Sequence, residues 1–181
     1  TTYLVNDALA KDGRILILTY TISNEDVIKR RFYQANGCIP RNTHIQTWYS
    51  FLIQHGAKPY QGCIDDSLFE TEIKGMVLVN NQSGFRYRDR RGPVYWGEDN
   101  LEKYYFTKDY KLYSDKISKF VVRCNEKSSH AVIDRLAAVY DRIYIDEVQD
   151  LAGYDLELLK ELLASPMSIL LVGDPRQVTY L

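Results

Sequence analysis

Three short stretches of the chain are almost continuously apolar and predict strands that are buried on both faces. They span residues 14–19, 141–146 and 168–174, and each ends in a polar residue. Continuous rather than alternating apolar character is typical of parallel strands that are covered by helices on both sides. The pattern therefore predicts three strands of one parallel sheet.

Two segments near these strands have the pattern of helices. Residues 24–32 begin at Asn24, a residue type that caps helices, and carry acidic residues in the first turn and basic residues in the last. That charge order complements the helix dipole. Residues 155–163 repeat leucine at three- and four-residue spacing, which gives one apolar face. Strands alternating with helices predict an α/β fold with right-handed crossovers.

The middle of the chain has a different composition. From residue 60 to about residue 128 the apolar runs fade, and polar, aromatic and glycine-containing turn sequences replace them. We predict an inserted subdomain, mixed or helical, at 60–130. The α/β domain is then formed by 1–59 and 131–181.

Composition and charge narrow the class of protein. The chain has 181 residues, 45% of them hydrophobic, and contains neither the roughly 20-residue apolar stretch that spans a bilayer nor a signal peptide. We expect a soluble, cytoplasmic protein without a membrane partner. The three cysteines lack metal-ligand spacing, and the net charge of −1 means that any nucleic acid must bind a local surface.

Paired acidic residues mark the end of the second predicted strand. Asp146 and Glu147 lie where the carboxyl edge of a parallel sheet holds ligands. In a nucleotide hydrolase the first acid of such a pair binds Mg²⁺ and the second activates the attacking water. Acids that simply open the next helix are an equal alternative at this stage. Gln177, after the third strand, is chemically suited to contact a phosphate oxygen, although an amide in a solvated loop is the alternative.

Two motifs at these strand ends resemble those of one helicase family. Residues 146–150 read D-E-V-Q-D and resemble the Walker B motif of UvrD/Rep-like superfamily 1 helicases. Residues 173–177 with Tyr180 resemble the G-D-x-x-Q-x-x-Y motif of that family. Upstream, residues 17–21 and 47–51 resemble the family's motif Ia and T-x-H-S-F segments. The resemblance covers residues 1–57 and 138–181.

The resemblance implies a RecA-like P-loop NTPase domain that uses ATP and Mg²⁺. Thr1 and Asp146 would bind the metal, Glu147 would activate water, and Gln177 would respond to the γ-phosphate. The residues expected to contact the cofactor are Thr1, Thr2, Asp146, Gln149 and Asp174. We expect the phosphate-binding glycines and lysine to precede Thr1 and a second motor domain to follow Leu181, so that this chain alone is inactive.

The resemblance also implies a path for single-stranded or partly duplex DNA. Tyr20 and Tyr180 are the positions expected to stack on bases, and Thr19 and Thr47 belong to the neighbouring motif segments. For Trp48 we favour core packing over base contact. The chain departs from the family pattern at Ile22-Ser23, where Asn-Lys is usual, and at Tyr49, where histidine is usual, so we expect altered DNA contact.

Basic and aromatic residues are interleaved in the insertion. Its densest cluster comprises Arg86, Arg88, Arg90 and Arg91. If the segment is a strand, alternate arginines point to one face and form a ridge that follows phosphates. We expect Arg86 and Arg88 to bind DNA, and an ordinary solvated hairpin is an equal alternative.

We therefore predict an ATP-dependent helicase or translocase that moves along single-stranded DNA, with the 3′-to-5′ polarity that the resemblance implies. One alternative is a DNA-stimulated ATPase subunit with a nuclease, repair or defence partner. The other is a non-enzymatic DNA-binding remnant of the fold.

Overall fold

The computed structural model describes residues 1–89 and 91–174. The chain divides into two compact units, one formed by residues 1–51 together with 131 onward and the other by Leu52–His130. In chain order the helices and strands are α1 Thr2–Leu9, β1 Ile15–Thr19, α2 Ile22–Asn36, β2 Thr43–Thr47, α3 Trp48–Phe51, β3 Met76–Val77, α4 Leu101–Tyr105, β4 Leu112–Tyr113, α5 Ile117–Lys127, α6 Ala131–Val139, β5 Arg142–Asp146, α7 Tyr154–Ala164 and β6 Ser168–Val172.

The first unit is built on a four-stranded parallel sheet in the order β2-β1-β5-β6. This confirms the predicted α/β fold and the three predicted strands. All five residues of β1 are buried because both faces of the strand are covered. The chain leaves β1 toward β2 on one side and later enters β5 on the other side. The carboxyl ends of β1 and β5 therefore form a topological switch point, where open α/β sheets bind ligands.

Apolar residues of α1, α2 and the central strands share one core. It contains Leu4, Ile28, Phe32 and Tyr144, each at most 2% exposed. The Tyr144 hydroxyl reaches past this core to donate to Asp7 Oδ2 at 2.5 Å. Burial, followed by this hydrogen bond, raises the pKa of Tyr144, so the phenol stays protonated. The contact ties β5 to α1, the two elements that supply the site described below.

Helix α2 differs from its predicted bounds at both ends. Asn24 does not cap it, because Thr21 lies in extended backbone and its hydroxyl oxygen accepts the Asn24 N–H at 3.2 Å. The helix runs on to Asn36, where Gly37 ends it with a positive φ of 74°. That left-handed conformation favours glycine and terminates the helix beyond the predicted end at residue 32.

Trp48 belongs to the core of the first unit, which confirms the preferred interpretation. Its side chain is 1% exposed and packs against Phe51 with ring centroids 5.3 Å apart. The indole N–H donates to the buried Asp155 carboxylate at 2.7 Å. Asp155 lies in the first turn of α7, so this bond joins α3 to α7.

The second unit contains short elements separated by irregular chain. Its short helical turns are a π-helix at Leu52–Ala57 and 3-10 helices at Gln61–Cys63 and Asp66–Leu68. Strands β3 and β4 form a parallel pair of two residues each. Helix α5 packs closely on the π-helix, where a Cβ on Gly56 would lie 2.4 Å from Val121 Cγ1. A side chain at Gly56 is therefore incompatible with this packing.

The expected arginine-bearing strand is absent from the described part of this unit. Phe85 pairs with Val94 through an isolated antiparallel bridge, and Arg88 already lies in a turn. Arg90 lies outside the described residues. The short pairing gives the arginines no common strand face, so the predicted ridge is wrong in its geometry, although Arg86 and Arg88 are both exposed.

Across residues 1–89 and 91–174, the helices are too short or too polar to cross a membrane.

Candidate functional site

The four parallel strands of the first unit present their carboxyl ends along one edge of the sheet. Thr19 of β1 is paired in register with Thr47 of β2, and Asp146 of β5 with Val172 of β6. Gly173 and Asp174 follow β6 directly. Most of the residues singled out from the sequence therefore meet at one edge, as expected for a ligand site of this fold.

Thr1 and Asp146 come together across 145 positions of sequence. Thr1 is the N-cap of α1, yet its hydroxyl makes no capping hydrogen bond and instead donates to Asp146 Oδ2 at 2.9 Å. Asp146 is only 4% exposed. A hydroxyl and a carboxylate at hydrogen-bond distance are the hard oxygen donors that Mg²⁺ prefers, so this pair fits the predicted metal site.

Glu147 has an unusual backbone conformation. Its φ of 59° and ψ of 43° place it in the left-handed region, which costs a residue with a side chain roughly 1–2 kcal/mol. The 3-10 helix Val148–Asp150 follows, but the Glu147 side chain does not cap it. Glu147 is the N-cap residue of that helix, so the acidic pair does precede a helical turn, although without a side-chain cap. Strain of this kind is typical of sites where a side chain must take one direction.

Gln149 connects the ends of β5 and β6. Its side-chain N–H donates to Glu147 Oε2 at 2.6 Å, and its carbonyl oxygen accepts the Asp174 backbone N–H at 3.2 Å. Gly173 makes this approach possible, because a Cβ there would lie 2.4 Å from Gln149 Oε1 and 2.9 Å from Val148 Cγ1. The amide holds the Glu147 carboxylate in place and joins it to Asp174, just beyond the end of β6.

Thr2 lies beside this pair on the first turn of α1. Its hydroxyl oxygen accepts a hydrogen bond of 2.5 Å from Arg31 Nη1 of α2. The contact places a guanidinium one residue from Thr1, the threonine predicted to bind the metal. The sequence predicted Arg31 in the last turn of α2, but the helix runs on to Asn36, so Arg31 lies in its interior. No local pattern points to its pairing with Thr2.

Three residues expected to contact DNA lie in the described part of the first unit. They differ in whether the side-chain hydroxyl has a hydrogen-bond partner. Tyr20 is half-buried, and its hydroxyl lies 2.7 Å from that of Tyr49, with ring centroids 5.3 Å apart. Thr47 is 7% exposed, donates to Ser50 Oγ at 2.9 Å and accepts the Ser50 N–H. Thr19 is 1% exposed, and its hydroxyl has no partner among the described residues.

The remaining site residues lie elsewhere. Gln177 and Tyr180 are outside the described residues. Arg86 and Arg88 belong to the second unit. The residues that sequence reasoning missed are Arg31, which meets Thr2, and Ser50, which meets Thr47. The T-x-x-S spacing of Thr47 and Ser50 is a helix-start signal that would have found the second pair.

A parallel sheet with acidic residues at its switch point is the arrangement expected of an α/β protein that binds a ligand at this edge. Comparison with known families gives the particular group: residues 98–181 match the model of the UvrD/REP helicase N-terminal domain. The match covers less than half of the chain and, together with the parallel sheet, supports a UvrD-like helicase fragment. A search of curated protein sequences found no match to the chain.

Proposed function

We propose that this chain is a motor domain that couples ATP hydrolysis to movement along single-stranded DNA, with 3′-to-5′ polarity. The family match supports the coarser part, a helicase motor that acts on DNA with ATP. The observation that supports a hydrolysis site in this chain is the contact between the Thr1 hydroxyl and the Asp146 carboxylate, adjacent to the strained Glu147. The 3′-to-5′ polarity is what the resemblance of the motifs implies. In this proposal the unit Leu52–His130 is an insertion within the motor.

The site residues divide the work of hydrolysis. Thr1 and Asp146 would hold Mg²⁺, which would neutralise charge that develops on the phosphates. Glu147 accepts a proton from the attacking water, and Gln149 keeps its carboxylate directed by the 2.6 Å hydrogen bond. Thr2 and Asp174 border the nucleotide. Arg31 holds Thr2, and the Asp174 N–H contacts Gln149.

Coupling to DNA is assigned to residues near the same edge. Tyr20 stacks on a base, an interaction that is independent of sequence and suits a translocating motor. Tyr49 fixes the direction of the Tyr20 ring through the hydroxyl contact of 2.7 Å. Gln177 and Tyr180 complete the link between the γ-phosphate and DNA. Thr19 and Thr47 shape the adjacent loop ends. In the insertion, Arg86 and Arg88 bind phosphates of the DNA.

The test is steady-state ATPase activity of the full-length protein with single-stranded and duplex DNA added separately. Turnover that rises with single strands and falls when Asp146 is changed to Asn supports the proposal. Binding of DNA without any stimulated turnover would instead favour a binding role for this fold, and the motor assignment would be withdrawn.

A further inference from the structure

Phe69 is the most exposed of the large apolar side chains in residues 1–89 and 91–174. It is 78% exposed and directly follows the 3-10 helix Asp66–Leu68 in the second unit. Single exposed apolar residues are common on protein surfaces, whereas aromatic residues are also enriched at the centre of protein interfaces. The surroundings of Phe69 decide between these two interpretations.

The backbone on both sides of Phe69 is held by a buried amide. Gln61 is 6% exposed, and its side-chain nitrogen donates to the carbonyl oxygen of Leu68 at 2.6 Å and to that of Thr71. Gly62 lies against the ring, because a Cβ there would be 2.8 Å from Phe69 Cδ2. The ring is therefore presented on a backbone that is already ordered, which lowers the entropy cost of binding through it.

The residues around Phe69 are acidic. We call residues 65–72 the Phe69 turn; it contains no basic residue, and its four exposed acids are Asp65, Asp66, Glu70 and Glu72. Like charges repel, so the Phe69 turn disfavours contact with the phosphates of a nucleic acid. An exposed ring among acids is instead complementary to an apolar pocket that has cations at its opening.

The same unit contains a pocket that has these properties. Its volume is about 480 Å³, and apolar side chains line it at Val77, Leu78, Val79 and Pro93. Leu78 is 71% exposed, so this lining is in contact with water. Sites that enclose a small molecule have volumes of roughly 300–1,000 Å³, so the pocket can accept one aromatic ring.

The charged residues at the pocket are mainly cationic. Arg86 and Lys108 line it and are exposed, together with one exposed acid, Asp109. Arg88 and Arg91 follow Arg86 closely in the chain and are exposed too, with one acid between them. These four cations outnumber the two acids, so the charge around the pocket is opposite in sign to that of the Phe69 turn.

We infer that Phe69 of one copy of this chain inserts into the pocket of a second copy, with the acids of the Phe69 turn facing the cations at the opening. The ring and the pocket are different surfaces of one unit, so the contact is heterologous. Such contacts continue into chains or close into rings, because each added copy still presents an unused ring or pocket. The inference does not depend on the proposed hydrolysis of ATP.

The first experiment is sedimentation velocity of the full-length protein over a series of concentrations, without DNA or nucleotide. Wild type should form species that grow beyond a dimer, and added NaCl should weaken the association because exposed charges are screened. Phe69→Ala removes the ring, and Leu78→Glu places an acid in the pocket wall. Each should weaken association about tenfold or more, as loss of an interface anchor does.

Two checks keep misfolding from imitating this result. Phe69 and Leu78 are both exposed, so neither substitution should change the Tm appreciably. Tyr33→Ala removes a ring that is 57% exposed in the first unit, and this control should associate like wild type.

A mixture of the two variants gives the sharpest test. Phe69→Ala retains the pocket and Leu78→Glu retains the ring, so an equimolar mixture should form a 1:1 dimer that does not grow further. Absence of this dimer overturns the inference. So does a wild type that stays monomeric over the whole series, or association of Phe69→Ala as tight as that of wild type.

Discussion

At the scale of single residues, Gly173 affects both the packing against Val148 and the position of the Gln149 side chain in the site. Replacement by Ala would place a Cβ 2.4 Å from Gln149 Oε1 and 3.3 Å from the Val148 backbone nitrogen. We expect Gly173→Ala to destabilise the protein by about 1–3 kcal/mol, as overpacking does, and to lower ATPase turnover because Gln149 is displaced from Glu147. Thermal unfolding and turnover are measured together.

Gly92→Ala is the matched control for that substitution. A Cβ at Gly92 would meet nothing within 4 Å. It should therefore leave both the Tm and turnover near their wild-type values, and equal effects of the two substitutions would contradict the role given to Gly173.

The two tryptophans differ in whether the indole N–H has a partner. Trp48 donates to Asp155 at 2.7 Å, whereas the Trp96 N–H is buried without a partner among the described residues. Trp48→Phe should reduce the free energy of unfolding by about 1–3 kcal/mol, because a buried carboxylate loses a donor. Trp96→Phe should cost less, and denaturant unfolding of both variants compares them directly. A larger loss in Trp96→Phe would argue against the importance of the Asp155 bond.

At the scale of elements, Glu98 connects α4 to α5. It accepts hydrogen bonds from Tyr105 of α4 and from Lys119 of α5, the latter at 2.6 Å, and pairs with Arg123 at 3.3 Å. Burial alone would raise the pKa of Glu98, but these partners together bring it below its usual value.

The lowered pKa of Glu98 gives a pH-dependent stability. A carboxyl group with a lower pKa in the folded state stabilises the fold at neutral pH, and this contribution disappears as the pH falls through the folded-state pKa. The Tm difference between wild type and Glu98→Gln should therefore be largest near pH 7 and shrink below the usual glutamate pKa of about 4.3. Glu70→Gln, at an exposed position, is the control and should show no such trend. A Tm difference for Glu98→Gln that is constant with pH would contradict the ionic role.

Strands were predictable from the sequence where the chain is continuously apolar. β1 and β5 consist largely of buried residues and gave continuous apolar runs. β2 was not predicted, since it reads Thr-His-Ile-Gln-Thr and only its end residues, Thr43 and Thr47, are buried. The two-residue strands β3 and β4 are too short to show any period.

The candidate site was predictable as a set of residues but not as a set of contacts. The motif letters pointed to Asp146, Glu147 and Gln149, yet the bridge from Gln149 to Asp174 depends on how closely β6 approaches β5 at Gly173. The left-handed backbone of Glu147 likewise has no signature in its own residue type. Contacts of this kind follow from tertiary packing rather than from local sequence.

At the scale of the whole molecule, a net charge of −1 gives no general attraction to DNA. In the proposed function, binding arises from local features, among them the aromatic pair at Tyr20 and Tyr49 in the first unit and Arg86 in the second. Each unit has its own testable contribution to DNA affinity, while hydrolysis is assigned to the first unit alone.

The most direct test of this account compares ATP turnover of the full-length wild type and Glu147→Gln at saturating single-stranded DNA, with ATP binding measured in parallel. Loss of a general base predicts a fall in kcat on the order of 10²–10⁴-fold with ATP affinity retained, because the Thr1 and Asp146 contact is untouched. Glu157→Gln, an exposed glutamate paired with Lys160, should turn over ATP like wild type. Wild-type turnover by Glu147→Gln would contradict the assignment of Glu147 as the water-activating base.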